Sequence, residues 1–139
     1  MIISFAWTTE ALKCGRKTCT RRRWSERFFE QWARAWREGR LVHDAYDRSP
    51  RAGGKKVGEI RLTCEPYKER LVDMPEEDVE AEGGLWGSKE EFILLFGDPE
   101  EEVVVVRFEL VGLVVSMANP SQLRMDGFGG GDRDGEGDL

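Results

Sequence analysis

Residue types and spacing that could do chemistry concentrate between Gly15 and Arg23, where the chain runs Gly15-Arg16-Lys17-Thr18-Cys19-Thr20-Arg21-Arg22-Arg23. Lys17 places a positive charge two residues after a glycine whose bare backbone allows close approach. Thr20 adds a hydroxyl on the same short segment. Arg22 offers a planar fork suited to a phosphate or a carboxylate. With Arg16, Arg21 and Arg23 the cluster predicts an anionic partner. The competing reading is a solvated basic loop without function. Within the segment the residues divide into two jobs: Lys17 and Thr20 for chemistry or base recognition, Arg16 and Arg21 to Arg23 for positioning a phosphate.

Other reactive groups are sparse. Cys14, Cys19 and Cys64 are odd in number and none has CxxC spacing, which argues against a disulfide framework and against a zinc clip. Free thiols are expected. A metal set recruiting His43 lacks the ligand spacing such sites use, so no metal or cofactor is expected. Because His43 is the one histidine, an acid/base mechanism with two histidines is excluded.

The net charge of -6 conceals a split. Residues 1 to 70 carry 17 lysines and arginines against 9 acidic residues, and residues 71 to 139 carry 4 against 18. Such a division suits a local phosphate-attracting surface on an otherwise acidic molecule. It equally suits two halves that neutralise each other across the fold.

The elements that must position these residues can be read from pattern. A length of 139 residues suits one domain, and five tryptophans and seven phenylalanines supply its core, at about 1.5 to 3 kcal/mol for each fully buried side chain. Met1 to Trp7 reads as a short buried strand, followed by a Thr8 or Thr9 cap, a helix from Glu10 to Cys14, and Gly15 as its left-handed terminator. Phe28, Phe29, Trp32, Ala35 and Trp36 recur at helical spacing between Ser25 and Glu38, the mark of a core-facing stripe. Arg40 to Tyr46 and the alternating Val57 to Cys64 read as strands joined by a Pro/Gly loop. Pro75 opens a short acidic helix to Glu82, closed by Gly83 and Gly84. Ser88 with Glu91 forms a capping box before a second helix stopped by Gly97. Glu102 to Val115, rich in β-branched residues, reads as a long strand near the centre of the sheet. Residues 119 to 139, Gly-rich and acidic from Asp126 onward, are expected to be a disordered tail after a domain spanning residues 1 to 118. No run approaches the roughly 20 apolar residues that span a bilayer, and Met1-Ile2-Ile3-Ser4-Phe5 lacks signal-peptide character, so a cytoplasmic location is expected.

Gly15-x-Lys17-x-x-Thr20-x-Arg22 resembles the GxKxxTxR signature of the ASCH domain, placed as in that family after a first strand and short helix. Val57-Gly58-Glu59-Ile60-Arg61-Leu62, Glu80-Ala81-Glu82-Gly83 and Val104-Val105-Val106-Arg107-Phe108 follow the family's order of elements, so the resemblance covers roughly residues 1 to 112. It implies an α+β fold, a PUA-like mixed β-barrel with a few flanking short helices. It also implies an activity, since one small bacterial branch hydrolyses N4-acetylcytidine with the motif's Lys, its Thr and a downstream Glu. Those roles fall on Lys17 as base, Thr20 as nucleophile and Glu82 as acid, with Glu80 the neighbouring alternative. The aromatic helix between Ser25 and Glu38 is an insertion relative to those small enzymes.

Three functions are consistent with these residues. The first is a hydrolase of a modified nucleoside or a similar small amide. The second is a non-catalytic RNA-binding module in which Lys17 and the arginines meet phosphates while Trp24 or Tyr46 stacks on a base. The third, weaker, is a ribonuclease using a metal held by Glu76, Glu77, Asp78, Glu80 and Glu82, although such a charge run is usually a solvated face. RNA or a modified nucleoside is the expected partner.

Overall fold

The computed structural model describes residues 1 to 114, so the expected tail at 119 to 139 lies outside the described residues. The long Val-rich strand organises the rest. This strand, β6 (Glu102–Leu113), is the last of six among the described residues, after β1 (Ile2–Ser4), β2 (Cys19–Arg22), β3 (Val42–Tyr46), β4 (Lys56–Leu62) and β5 (Tyr67–Arg70). β1 pairs parallel with β3, and β3 pairs antiparallel with β4. β4 and β5 follow one another along one edge of β6, joined by the bond from the Thr63 amide to the Arg107 carbonyl at 3.0 Å. β2 takes the other edge, with Thr20 opposite Val106 and Arg22 opposite Val104.

Register shifts at Ala45/Tyr46 and at Glu59/Ile60 mark β-bulges. Bulges add twist and bend a strand, and the sheet curls into a half-barrel. The fold is mixed α+β, and among the described residues four α-helices are set around that sheet: α1 (Thr9–Lys13), α2 (Glu26–Arg37), α3 (Asp78–Ala81) and α4 (Lys89–Phe96).

Alternation along β6 supplies two cores. Val104, Val106 and Phe108 turn to one face and join Ile3, Phe5, Leu12, Trp32, Ile60 and Leu62. Val103 turns to the other and joins Leu71, Met74, Trp86, Phe92, Ile93 and Phe96. The aromatic stripe of α2 packs on the first core, with Trp32 wholly buried and Phe28, Phe29 and Trp36 partly covered. His43 lies under the same helix, its ring 4.5 Å from that of Trp32, and burial with the nearby N-terminal charge pushes its pKa down to about 4.

Several local expectations are corrected. Helix α1 begins at Thr9, and neither threonine caps it as an acceptor. The Thr9 hydroxyl instead donates to the carbonyls of Phe5 and Ala6, while the Thr8 hydroxyl is buried without a partner among the described residues. Gly15 takes the predicted left-handed conformation, with φ +82°. α3 starts at Asp78, three residues after Pro75, because Pro75 to Glu77 form a preceding turn in which the Asp78 amide donates to the Pro75 carbonyl. At α4 the Ser88 hydroxyl accepts from the Glu91 amide as predicted, but the Glu91 carboxylate accepts from Gly87 one residue outside the reciprocal position. β5 is an element that the pattern did not show, since Tyr67, Lys68, Glu69 and Arg70 carry no apolar alternation.

Because β6 joins the two cores, large-to-small change on it should be severe. Phe108→Ala, losing the ring 5.6 Å from Phe5, should cost about 3 to 5 kcal/mol in a urea melt at unchanged slope. Leu94→Ala, at a side chain 80% exposed, should stay within about 0.5 kcal/mol of the parent.

Candidate functional site

The residues from Cys19 to Arg22 form β2 rather than a loop, and this changes the meaning of the segment. On a strand, neighbours face opposite ways. Thr20 and Arg22 lie on the face of Val104, Val106 and Phe5, whereas Cys19 and Arg21 lie on the face of Val105 and Arg107. Lys17 precedes the strand in a turn held by amide bonds from Arg16 and Lys17 to the Ala11 carbonyl. The next amide, Thr18, donates to the Ala81 carbonyl at 2.8 Å. That bond docks the turn on the end of α3 and sets Lys17 beside Glu82.

The result is a contact made inside the protein. Lys17 Nζ donates to the Glu82 carbonyl at 2.8 Å and to Glu82 Oε1 at 3.1 Å, with both side chains 0% exposed. Burial pushes the Lys17 ammonium below its ordinary range, Glu82 opposes that shift, and the charge of Arg22 adds to it. The ring of Phe5 lies under both cations, 6.0 Å from Lys17 Nζ and 5.3 Å from the Arg22 guanidinium. Arg22 Nε donates to Thr20 Oγ1 at 3.0 Å and its terminal nitrogen to the Ser4 carbonyl at 2.7 Å. A hydroxyl that accepts one bond from a guanidinium has one of its two lone pairs occupied and keeps its own proton to donate to a base. The structure thus brings Lys17 and Glu82 into direct contact and bonds Thr20 to Arg22, whose guanidinium shares the Phe5 ring with Lys17.

The other oxygen of Glu82 belongs to Arg21. Arg21 Nη1 donates to Glu82 Oε2 at 2.9 Å, and Nη2 donates to Asp78 at 2.6 Å and Glu69 at 2.7 Å. Asp78 also accepts two bonds from Arg107, at 3.1 and 2.6 Å, and Tyr67 Oη accepts from Arg107 Nε. Burial raises the Asp78 pKa, but its bonds to Arg107 and Arg21 outweigh that and hold the carboxyl below its ordinary range. Cys19, buried beside this network, has its thiol pushed up to about 12 by burial and by the Glu82 charge.

These positions correct several expectations. Arg21 cannot position a phosphate, because β2 alternation turns it inward onto three carboxylates. Arg22 is likewise buried and engaged. Arg23 is exposed, but bonds to Glu101 and to the Phe96 carbonyl while lying over the Phe96 ring. Arg16 pairs with Glu80 and lies over Gly84, where a side-chain carbon would collide with the guanidinium. Trp24 is half-buried and packs against the first core, its ring 4.8 Å from Phe28 and 5.2 Å from Trp32. Tyr46 is half-buried at the end of β3, where its carbonyl accepts from the Phe5 amide. The acidic run is only in part a solvated face: Glu76, Glu77 and Glu80 are exposed, while Asp78 and Glu82 turn inward to the cations. Among the described residues no three His, Cys, Asp or Glu side chains group as a metal site, and no helix is long and apolar enough to cross a membrane.

Glu69 and Arg107 are not singled out by pattern as site residues, and Asp78 is offered only as a member of the acidic run. The one signal for Glu69 and Arg107 is the alternation of Tyr67, Glu69, Val103, Val105 and Arg107, which acquires a meaning only once β5 is known to pair with β6.

No family model matches the chain, and no curated protein matches it. Among solved structures it is similar to the crystal structure of protein EF3133 from Enterococcus faecalis V583, described by the family model DUF984, at 18% identity. That likeness has a TM-score of 0.51 and covers 82% of this chain and 76% of the other. At this identity it shows a shared fold.

The Asp78 network gives a signed prediction. A carboxyl whose folded pKa is depressed contributes stability that is present above its unfolded pKa and is lost as pH falls through the folded one. Asp78→Asn should therefore lower the melting temperature at pH 7. The gap between variant and parent should narrow as pH falls below about 4, the ordinary aspartate range. Thermal melts at pH 7, 5 and 3.5 check this.

Proposed function

We propose that the chain is an ASCH-type, PUA-like domain that binds a nucleoside-sized ligand at Lys17, Thr20 and Glu82 and hydrolyses the amide of a modified nucleoside such as N4-acetylcytidine. The observation that carries this reading is the buried Lys17–Glu82 contact, together with a buried threonine hydroxyl held by an arginine that shares the Phe5 ring with Lys17. Amide hydrolysis needs a nucleophile, a base for its proton and an acid for the departing nitrogen.

In the proposed reaction Thr20 Oγ attacks the acyl carbon and its proton passes to the neutral amine of Lys17. Burial favours that neutral form, so Lys17 can act as a base nearer to neutral pH than an exposed lysine. The Lys17 ammonium then stands 3.1 Å from Glu82 Oε1, close enough for Glu82 to relay the proton to the leaving cytidine nitrogen as the carbon–nitrogen bond breaks. Water next cleaves the acyl ester on Thr20, releasing acetate and restoring the hydroxyl. Since all three side chains are 0% exposed, substrate must displace whatever covers them.

The RNA-binding alternative is less well supported. Arg16, Arg21, Arg22 and Arg23 are all engaged by groups of this chain, two of them in its interior. A backbone of phosphates would have to break those pairs. A ligand the size of a nucleoside needs only the Lys17 region.

Release of cytidine from N4-acetylcytidine by the purified protein tests the hydrolase. Lys17→Ala should reduce turnover by about 10²-fold or more, Thr20→Val should act similarly, and Thr20→Ser should retain part of the activity. Equal rates for the parent and Lys17→Ala would sink the proposal.

A further inference from the structure

We propose that Arg21, which stands outside the Gly/Lys/Thr/Arg spacing, is a positioning residue that shares the Glu82 carboxylate with Lys17 and so sets the proton affinity of that lysine. For its catalytic meaning the inference rests on the hydrolase reading above, but the coupling between the two side chains does not.

Geometry leads to it. Glu82 has two oxygens and two cationic partners, Lys17 at 3.1 Å on Oε1 and Arg21 at 2.9 Å on Oε2, and all three side chains are 0% exposed. A carboxylate facing Lys17 alone would hold the ammonium form tightly. Divided between two cations it holds Lys17 less tightly, and the neutral amine becomes accessible. Arg21 is suited to this task because it keeps its own charge at any working pH and cannot itself serve as the base.

Arg21 is in turn fixed from three directions. Glu69 of β5 and Asp78 of α3 occupy one of its terminal nitrogens, and Glu82 occupies the other, with the Cys19 sulfur 3.5 Å away. Arg107 of β6 holds Asp78 from the far side. Among the described residues, the charged and titratable groups that act on Lys17 include Glu82 after α3, and Arg22 and Cys19 on β2. An arginine needed only for packing would not require three carboxylates, nor would it be placed on the same carboxylate as the candidate base.

The sign of the coupling makes it testable. Lysine carrying ¹³C at Cε allows the Lys17 resonance, assigned by its loss in Lys17→Ala, to be titrated in the intact protein. Arg21→Gln removes a positive charge from Glu82 and should raise the Lys17 midpoint by about one pH unit or more. Glu69→Gln removes a negative charge from Arg21, leaves more of that arginine for Glu82, and should lower the midpoint by a smaller amount. The acidic limb of kcat/KM against pH should move in the same directions.

A lower melting temperature in Arg21→Gln with the Lys17 midpoint unmoved would overturn the proposal. If Arg21→Gln does not fold, Glu69→Gln decides alone, and an unshifted midpoint there overturns it equally. Opposite shifts in a protein without turnover on N4-acetylcytidine would uphold the role of Arg21 and remove only the hydrolase reading.

Discussion

A carboxylate placed out of reach of water must be neutralised, and in this protein the structure around the site depends on how Glu82 meets that requirement. Removing an ion from water costs several kcal/mol even after relaxation, and the loss of one partner from a buried pair is far more damaging than the pair is stabilising. Glu82 is supplied with two cations, and one of these, Arg21, is shared with Asp78 and Glu69. With Arg107 the cluster holds three cations and three carboxylates. Around this balance, α3 is short enough to deliver Asp78 and Glu82 to the same arginine one turn apart. The bond from the Thr18 amide to the Ala81 carbonyl then brings the lysine to the far oxygen.

The division of the chain into a basic and an acidic half now has a physical explanation. Lys17, Arg16, Arg21, Arg23 and Arg70 come from the first half, and Glu82, Glu80, Asp78, Glu101 and Glu100 meet them from the second. Mutual neutralisation is thus one use of the asymmetry, beside pairs made within the basic half such as Arg37 with Glu30 and Glu65. Its members are unequal, since exposed pairs such as Arg70 with Glu100 contribute about 0 to 1 kcal/mol, while the buried ones decide whether the site can form at all.

Much of the scaffold was legible in sequence because its signals are local. The aromatic stripe of α2, the left-handed Gly15, the Ser88 cap and the β-branched run of β6 each report on their own neighbourhood, and each appears in the fold. Lys17 and Glu82 could be brought together only through a family resemblance, since 65 residues separate them. Arg21 was misjudged for a related reason. Three consecutive arginines look alike in composition, and only the pairing of β2 with β6 reveals that the first of them faces the buried carboxylates. β5 stayed hidden because its side chains serve the ion network and its own exposed edge, leaving no apolar alternation to read.

The two-sided character of β2 also limits how this segment can change length. Thr20 and Arg22 see Phe5 and the apolar core, while Cys19 and Arg21 see the carboxylates, and the two sets are separated by nothing more than the pleat. A substitution disturbs one environment at a time. A single-residue insertion or deletion between Lys17 and Thr20 would exchange them, turning the hydroxyl toward Asp78 and driving an unpaired guanidinium into the hydrocarbon core. Descendants of this chain should therefore vary freely in residue identity along the outer turns yet keep the distance from Lys17 to Arg22 invariant. That distance is enforced by the pleat itself, whether or not the site turns over a substrate.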